Sequence, residues 1–450
     1  MMDSYSIGST QSDADVSESA GSSMHALAKQ LWPINRSITG DGVRQTLSIL
    51  SEYLPELLVH EIPSGTTCFD WTVPREWRVR DAWIKDAAGN KVVDFAANNL
   101  HLVGYSIPAD VSLSLEELQK HLYSLPEQPD AIPYITSYYS ESWGFCINQH
   151  ERDRLQPGQY QVHIDSELFD GHLTYGELYL PGQNDREILL STYICHPSMA
   201  NNELSGPCVA TWLGRWLKQL TQRKFSYRIL FLPETIGAIC YLSRNLDTLK
   251  SRLVAGFVLT CLGDDRAYSY LPSLDGDTMA DRVAKHALHH IDAEYKSYTF
   301  LDRGSDERQY CSPGVDLPVC SIMRSKYGAY PEYHTSLDNL ELVTPTGLEG
   351  GFNAYKYAIT CIEENCIPAA TTLGEPQLGK RGLYPALSTR ESGAIVRDML
   401  NLIAYADGKR SLLEIAEIIG VPMWELASLA NKLSAHGVLH LKSFNYPQVS

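Results

Sequence analysis

No apolar run in this chain of 450 residues approaches the roughly 20 residues a membrane-spanning helix needs; the longest lie at Ile188 to Ile194 and Leu253 to Leu262. The first 23 residues lack both a basic stretch and an apolar segment of the kind that directs export, so neither membrane insertion nor secretion is expected. Ten cysteines are present, but no two form a CxxC pair, and Cys195, Cys208, Cys240 and Cys261 fall inside apolar segments. That pattern reads as buried reduced thiols, not a disulfide framework, and points to the cytoplasm. Positive charge is also scarce. A net charge of −17 with no basic patch argues against nucleic acid and acidic membrane surfaces as partners. What is there, 44% hydrophobic and 20% charged residues, is the composition of a folded globular protein with room for two or three domains.

Texture divides the chain. Residues 1–23 are mostly Ser, Asp and Gly and read as a disordered tail, because they bury too little apolar surface to offset the entropy of ordering. Met24 to Leu54 has helical spacing interrupted at WPINRSITGDG, where Pro33 and two glycines force a loop. Residues 68–158 are rich in aromatics, prolines and β-formers and read as a small β-rich module. It is inserted into an α/β domain that spans 24–67 and 159–370. In that domain the strands LTYGELYLPG, EILLSTYIC, YRILFLP, AGFVLTCLG and LPVCSIM alternate with helices such as GPCVATWLGRWLKQL. Near-continuous apolar strands mean a sheet covered by helices on both faces, and ligands of such sheets bind beyond the carboxyl ends of the strands.

Residues 391–446 read as a compact helix, helix, helix, strand unit resembling a winged helix. Ile395, Val396, Met399, Leu400 and Ile403 share one helix face, Ser411 and Glu414 form a capping box, and Gly437 ends the last helix. Five basic against six acidic residues from Glu391 onward favour protein contact or self-association over DNA binding.

Four ionisable residues stand in the polar stretches that follow or lead into strands: His196, Glu234, Asp306 and His334. Singly each is ordinary. Their common placement at one edge of one sheet changes the reading, because two imidazoles and a carboxylate fit Zn²⁺ with a position left open for water. A second, non-ligating carboxylate can then take the water's proton.

The order HPSxAN-x-E-LSG, PETIG, SDE and YHT resembles the zinc aminopeptidase and glutaminyl cyclase superfamily. More closely, LWPINRSITGDGVRQTL, FDWTVPREW, NLHLVGYSIP, PYITSYYSESWGF, RGSDERQY and YPEYHTSLDN are similar to a bacterial aminopeptidase-like family with an inserted β-domain and a C-terminal winged helix. Its members are commonly encoded near polysaccharide or secondary-metabolite biosynthesis genes. The resemblance implies His196 and His334 as zinc ligands, Glu234 as general base, and Asp306 as the acid that positions a substrate amine or relays a proton. Three departures follow. Thr235 stands where a second glutamate ligand is expected, Thr260 or Cys261 where an aspartate is, and Asn202 where the shared metal carboxylate is. One zinc ion is therefore expected, held by His196, His334 and Asn202, unless Glu203 substitutes or the metal is lost, whether Asn202 is natural or introduced. Glu203, Arg308 and Tyr310 are further candidates for contact with a small-molecule or peptide-like substrate, though Arg308 equally suits a structural ion pair. The implied activity is amide hydrolysis; acyl transfer or cyclisation at the same site, and a non-catalytic scaffold, are the alternatives.

Overall fold

The computed structural model describes residues 19–138, 140–383 and 390–446. Residues 1–18 of the expected tail lie outside the described residues, but 20–23 belong to a helix, Ala20–Leu31, whose first turn is capped by the Ser19 side chain accepting from the Ser22 amide. Among the described residues no helix is long and apolar enough to cross a membrane.

The core of the fold is an eight-stranded mixed sheet. Its centre is parallel: Ser226–Leu232, Glu187–Tyr193, Leu253–Val258 and Val319–Met323 run side by side, and His172–Leu180 and Leu58–Pro63 extend it in antiparallel fashion. All seven residues of Glu187–Tyr193 and all six of Leu253–Val258 are buried, which is why they read as continuous apolar runs. Successive residues face opposite layers. Ile188 and Leu190 pack with the helices Ala20–Leu31, Ser205–Gln219, Met279–Ile291 and Pro345–Glu363, whereas Leu189 and Tyr193 pack with Ile236–Arg252 and the inserted module.

Two domain boundaries differ from the expectation. Gln159–Phe169 belongs to the inserted module, where it forms a four-stranded antiparallel sheet with Lys91–Asp94, Glu76–Lys85 and Ala109–Ser114. Its burial alternates along its first half, with Tyr160, Val162 and Ile164 inward, so the composition shift at Gln159 marks an amphipathic strand of the insert and not the first strand of the α/β domain. Likewise Cys366–Ala370, expected to end the α/β domain, pairs with Leu439–Ser443 and opens the winged helix. The capping box of Ser411 and Glu414 and the left-handed Gly437 are both present. On the first winged helix, Arg390–Tyr405, Met399, Leu402 and Ile403 are buried while Ile395 is 44% exposed, so the apolar face sits further along the helix than the sequence spacing placed it.

The winged helix docks on the α/β domain through Met423–Ala435. Trp424 stacks on Tyr357 with ring centres 4.2 Å apart, and the Met423 amide donates to His286 Nε2 at 2.9 Å. Burial, with His290 and His289 close by, pushes the His286 imidazole down to about 4. A folded value below the unfolded one, about 6.5, means the neutral ring's contribution is complete above pH 6.5 and is lost as pH falls towards 4. Thermal unfolding should therefore show wild type losing about 3 kcal/mol more than His286→Gln across that window. Parallel pH profiles for the two proteins would contradict this.

Candidate active site

The parallel strands end at one edge of the sheet, and the turns that leave them build the site. After Glu187–Tyr193 the chain passes through Cys195 and His196 into a wide turn, Ala200–Leu204, that feeds the helix Ser205–Gln219. Asp338 holds this turn: its carboxylate accepts from the amides of Asn201 at 2.6 Å and Asn202 at 2.9 Å. Asn201 is structural, donating to Asp264 and accepting from the Gly263 amide. Gly206 is required by close approach, since a Cβ there would lie 2.3 Å from the Leu259 carbonyl oxygen.

His196 is buried, and its two ring nitrogens have different partners. Nδ1 bonds Glu203 Oε2 at 2.9 Å, and Nε2 lies 3.7 Å from Glu234 Oε2. The His334 ring centre is 5.5 Å from that of His196. His334 has a left-handed backbone, φ 57°, and stacks on Tyr333. Burial and the neighbouring His196 push its imidazole down to about 3, so it is neutral, the form a metal ligand needs. Burial pushes the Glu234 carboxyl up, with His196 pulling the other way.

Asp306 stands behind this carboxylate. Its Oδ1 accepts from the Thr235 amide at 2.7 Å, while Oδ2 is buried without a hydrogen-bond partner. Thr235 has φ 64°, a strained conformation for a β-branched residue, so Asp306 braces the turn that presents Glu234. Burial, then Glu234, push the Asp306 carboxyl well up. Arg308 serves the same turn, donating to Thr235 Oγ1 at 3.1 Å and to the Ser305 carbonyl.

Two of the expected substrate contacts fall elsewhere. Tyr310 is fully buried, with its hydroxyl 2.8 Å from Ser191 Oγ, because the short helix Glu307–Tyr310 turns it into the core beneath the sheet edge. Glu203 is also fully buried, held between His196 and Arg36, whose Nε lies 3.3 Å from Glu203 Oε1. Cys195, His196 Nδ1 and Glu203 come within 4.8 Å of one another, but the guanidinium of Arg36 already supplies the cation beside them.

The inserted module completes the site. Trp71, Thr72, Pro74 and Tyr138 wall a cavity of about 200 Å³ over His196, Glu234 and Thr235. Its segment around Ile132 and Tyr134 zips onto the loop carrying His334: the Tyr134 amide donates to the His334 carbonyl at 2.9 Å, and Ser336 bonds Ile132 twice. The Tyr134 ring touches both histidines at 5.1 Å. Sequence reading missed Arg36, Tyr134, Tyr138, Tyr193 and Asp338, although PYITSYYSESWGF had signalled the tyrosines without a role.

By the chemistry of their donor atoms, His196, His334 and Asn202 suit a metal ion. His196 Nε2 has no hydrogen bond, His334 is neutral, and Asn202 Oδ1 keeps a lone pair after accepting from Tyr193 at 2.7 Å. At the positions where the resemblance would set further carboxylate ligands, Thr235, Thr260 and Cys261 offer hydroxyls and a thiol. Thr260 Oγ1 lies 2.6 Å from the Tyr193 hydroxyl and bonds the Asn202 carbonyl, Thr235 Oγ1 accepts from Arg308, and burial pushes the Cys261 thiol up, away from the thiolate a metal requires.

A family model described as "Domain of unknown function (DUF4910)" matches residues 25–365. The chain belongs to this family. A winged helix-turn-helix model matches residues 366–441, which agrees with the strand at Cys366 being part of that unit. A family relative from Clostridium acetobutylicum is named as a candidate polysaccharide biosynthesis protein with an aminopeptidase-like domain. It is 44% identical over 423 residues, covering 93% of this chain and 96% of the relative. A crystal structure of a candidate peptidase from the same organism matches with TM-score 0.88 at 44% identity, over 94% of this chain and 96% of that one. A zinc aminopeptidase from Bacillus subtilis matches with TM-score 0.56 at 12% identity, over 76% and 94%. At that identity the shared feature is the fold. The family's α/β domain is thus aminopeptidase-like, as the motifs implied.

Proposed function

We propose that this chain is a hydrolase of amide bonds working with a single zinc ion. The observation that carries the reading is that His196 and Glu234 line the floor of one cavity, with the carboxylate 3.7 Å from Nε2, and that the His334 ring centre lies 5.5 Å from that of His196. His196, His334 and Asn202 would hold the ion. Zinc bound there supplies a Lewis acid that polarises a carbonyl and acidifies water.

The chain's own residues do the rest. Glu234, at Oε2, takes the proton of the attacking water and returns it to the leaving nitrogen. Asp306, fully buried behind the cavity, keeps Glu234 in place through the Thr235 amide. Trp71, Pro74 and Tyr138 exclude bulk water, which strengthens each electrostatic contact inside. A cavity of about 200 Å³ suits a small amide-bearing intermediate better than a polypeptide. The name of the Clostridium acetobutylicum relative makes polysaccharide biosynthesis the pathway to try first.

The test is a panel of aminoacyl amides and N-acylated amines incubated with zinc-loaded protein and analysed for products. Amine release that a chelator abolishes and added zinc restores is expected. Products in which a second amine has replaced water would move the assignment to acyl transfer, and turnover indifferent to chelation would contradict the zinc mechanism.

A further inference from the structure

We infer that a second cavity, distinct from the catalytic one, is a binding site for one uncharged sugar ring, a pyranose unit of a saccharide. The inference goes beyond the amide-hydrolase reading and does not depend on it. The cavity, of about 300 Å³, lies where the inserted module meets the α/β domain. Trp32, Asn35 and Ser198 line it from the α/β domain, and Phe95, Asn98 and Asn99 from the insert. Sites for small ligands favour such domain junctions and begin at about this volume.

The lining matches the two-sided chemistry of a sugar. A pyranose presents apolar C–H faces and a rim of hydroxyls that both donate and accept. Trp32 and Phe95 are half-buried, each anchored against one of the two large hydrophobic cores, and offer ring surface on which C–H faces stack. An asparagine amide carries an acceptor oxygen and two N–H donors, so it can pair with neighbouring hydroxyls. Among the described residues the Asn35 side chain has no hydrogen-bond partner. Asn98 accepts from the Leu100 amide at 3.0 Å and keeps its Nδ2 donors unengaged. The lining is uncharged among the described residues, which in a chain of net charge −17 disfavours a phosphate or carboxylate ligand.

The walls are already fixed. Asp94, paired with Lys91 at 2.9 Å, accepts from the Ala96 amide at 3.2 Å and so sets the turn that carries Phe95. Asn99 Nδ2 donates to Ser198 Oγ at 2.8 Å, and that hydroxyl donates to the Trp32 carbonyl at 2.7 Å, which ties the insert to both segments of the α/β domain. A ligand entering such a pocket has less ordering to impose on it. The two cavities are also neighbours on the same stretches of chain: Asn35 and Ser198 line this one, Ile38 and His196 the catalytic one. A saccharide seated here is therefore held beside the catalytic cavity.

The experiment titrates the full-length, metal-free protein with the methyl glycosides of glucose, N-acetylglucosamine and rhamnose, with sorbitol and inorganic phosphate as controls, and follows binding by saturation-transfer NMR and by the Trp32 indole resonance. At least one glycoside should bind with a Kd on the order of 1 mM, what a ligand of this size reaches at ordinary efficiency. It should shift the Trp32 indole N–H, and sorbitol and phosphate should not. Phe95→Ala and Asn35→Ala should each weaken binding about 5-fold or more, while Trp71→Ala, in the catalytic cavity, leaves it unchanged. No binding by any glycoside at roughly ten times that concentration, equal binding of sorbitol or phosphate, an unmoved Trp32 indole, binding that either folded variant leaves unchanged, or binding lost in Trp71→Ala overturns the inference. Should Phe95→Ala unfold, Asn35→Ala, whose side chain holds nothing else in place, decides. Because zinc is absent throughout, failure here leaves the hydrolase reading untouched, and failure of that reading leaves this site standing.

Discussion

Glu234→Gln lowers turnover by roughly 100-fold or more while zinc content stays at the wild-type level. The substitution keeps the size of the side chain and removes its ability to take a proton. The competing role, capping the following helix, does not match the geometry. The N-cap of Ile236–Arg252 is Thr235, without a side-chain cap, and the Glu234 carboxylate faces His196 instead. Loss of a cap alone would cost about 1 kcal/mol of stability and leave turnover intact. The two roles are separated by measuring turnover, zinc and thermal stability on one preparation, with an amide shown to be cleaved by wild type. Near-normal turnover with metal retained would remove general-base catalysis from the mechanism.

His196→Ala abolishes stoichiometric zinc binding and leaves the fold standing. The ring contributes one of the two imidazoles, and nothing nearby replaces it: Cys195 is buried with its thiol pushed up, and Glu203 remains paired with Arg36. Stability should fall by about 2 kcal/mol, the scale of a hydrogen bond to a charged group, because Arg36 still compensates the buried carboxylate and the sheet core does not involve the ring. Zinc analysis beside circular dichroism checks both halves. A variant with full zinc content would return His196 to a structural role.

The strands were legible where burial on both faces made them continuous, as in Glu187–Tyr193 and Leu253–Val258. The boundary at residue 159 fails where a strand is covered on one face: Gln159–Phe169 alternates in burial and belongs to the insert, so it carries none of the continuous apolar signal. The candidate site was legible to the extent that α/β sheets carry their chemistry just past the strand ends, which brought His196, Glu234, Asp306 and His334 together. Arg36 was not legible, because it reaches His196 across 160 positions through a loop that passes under the site, and sequence spacing carries no trace of such a contact. Tyr134 and Tyr138 lie in an insert whose strands give no hint that its loops close over a neighbouring domain. Tyr310 was misplaced for a related reason: it follows Asp306 by four positions, one helical turn further on, and faces the core.

Metal analysis of the purified protein, loaded with zinc and dialysed exhaustively against metal-free buffer, tests the central claim most directly. Thr235 and Thr260 or Cys261 stand where the resemblance expects further carboxylates, which leaves His196, His334 and Asn202 as the proposed donors for a single ion. One equivalent of zinc per chain is the predicted result; two equivalents, or none, would contradict the account.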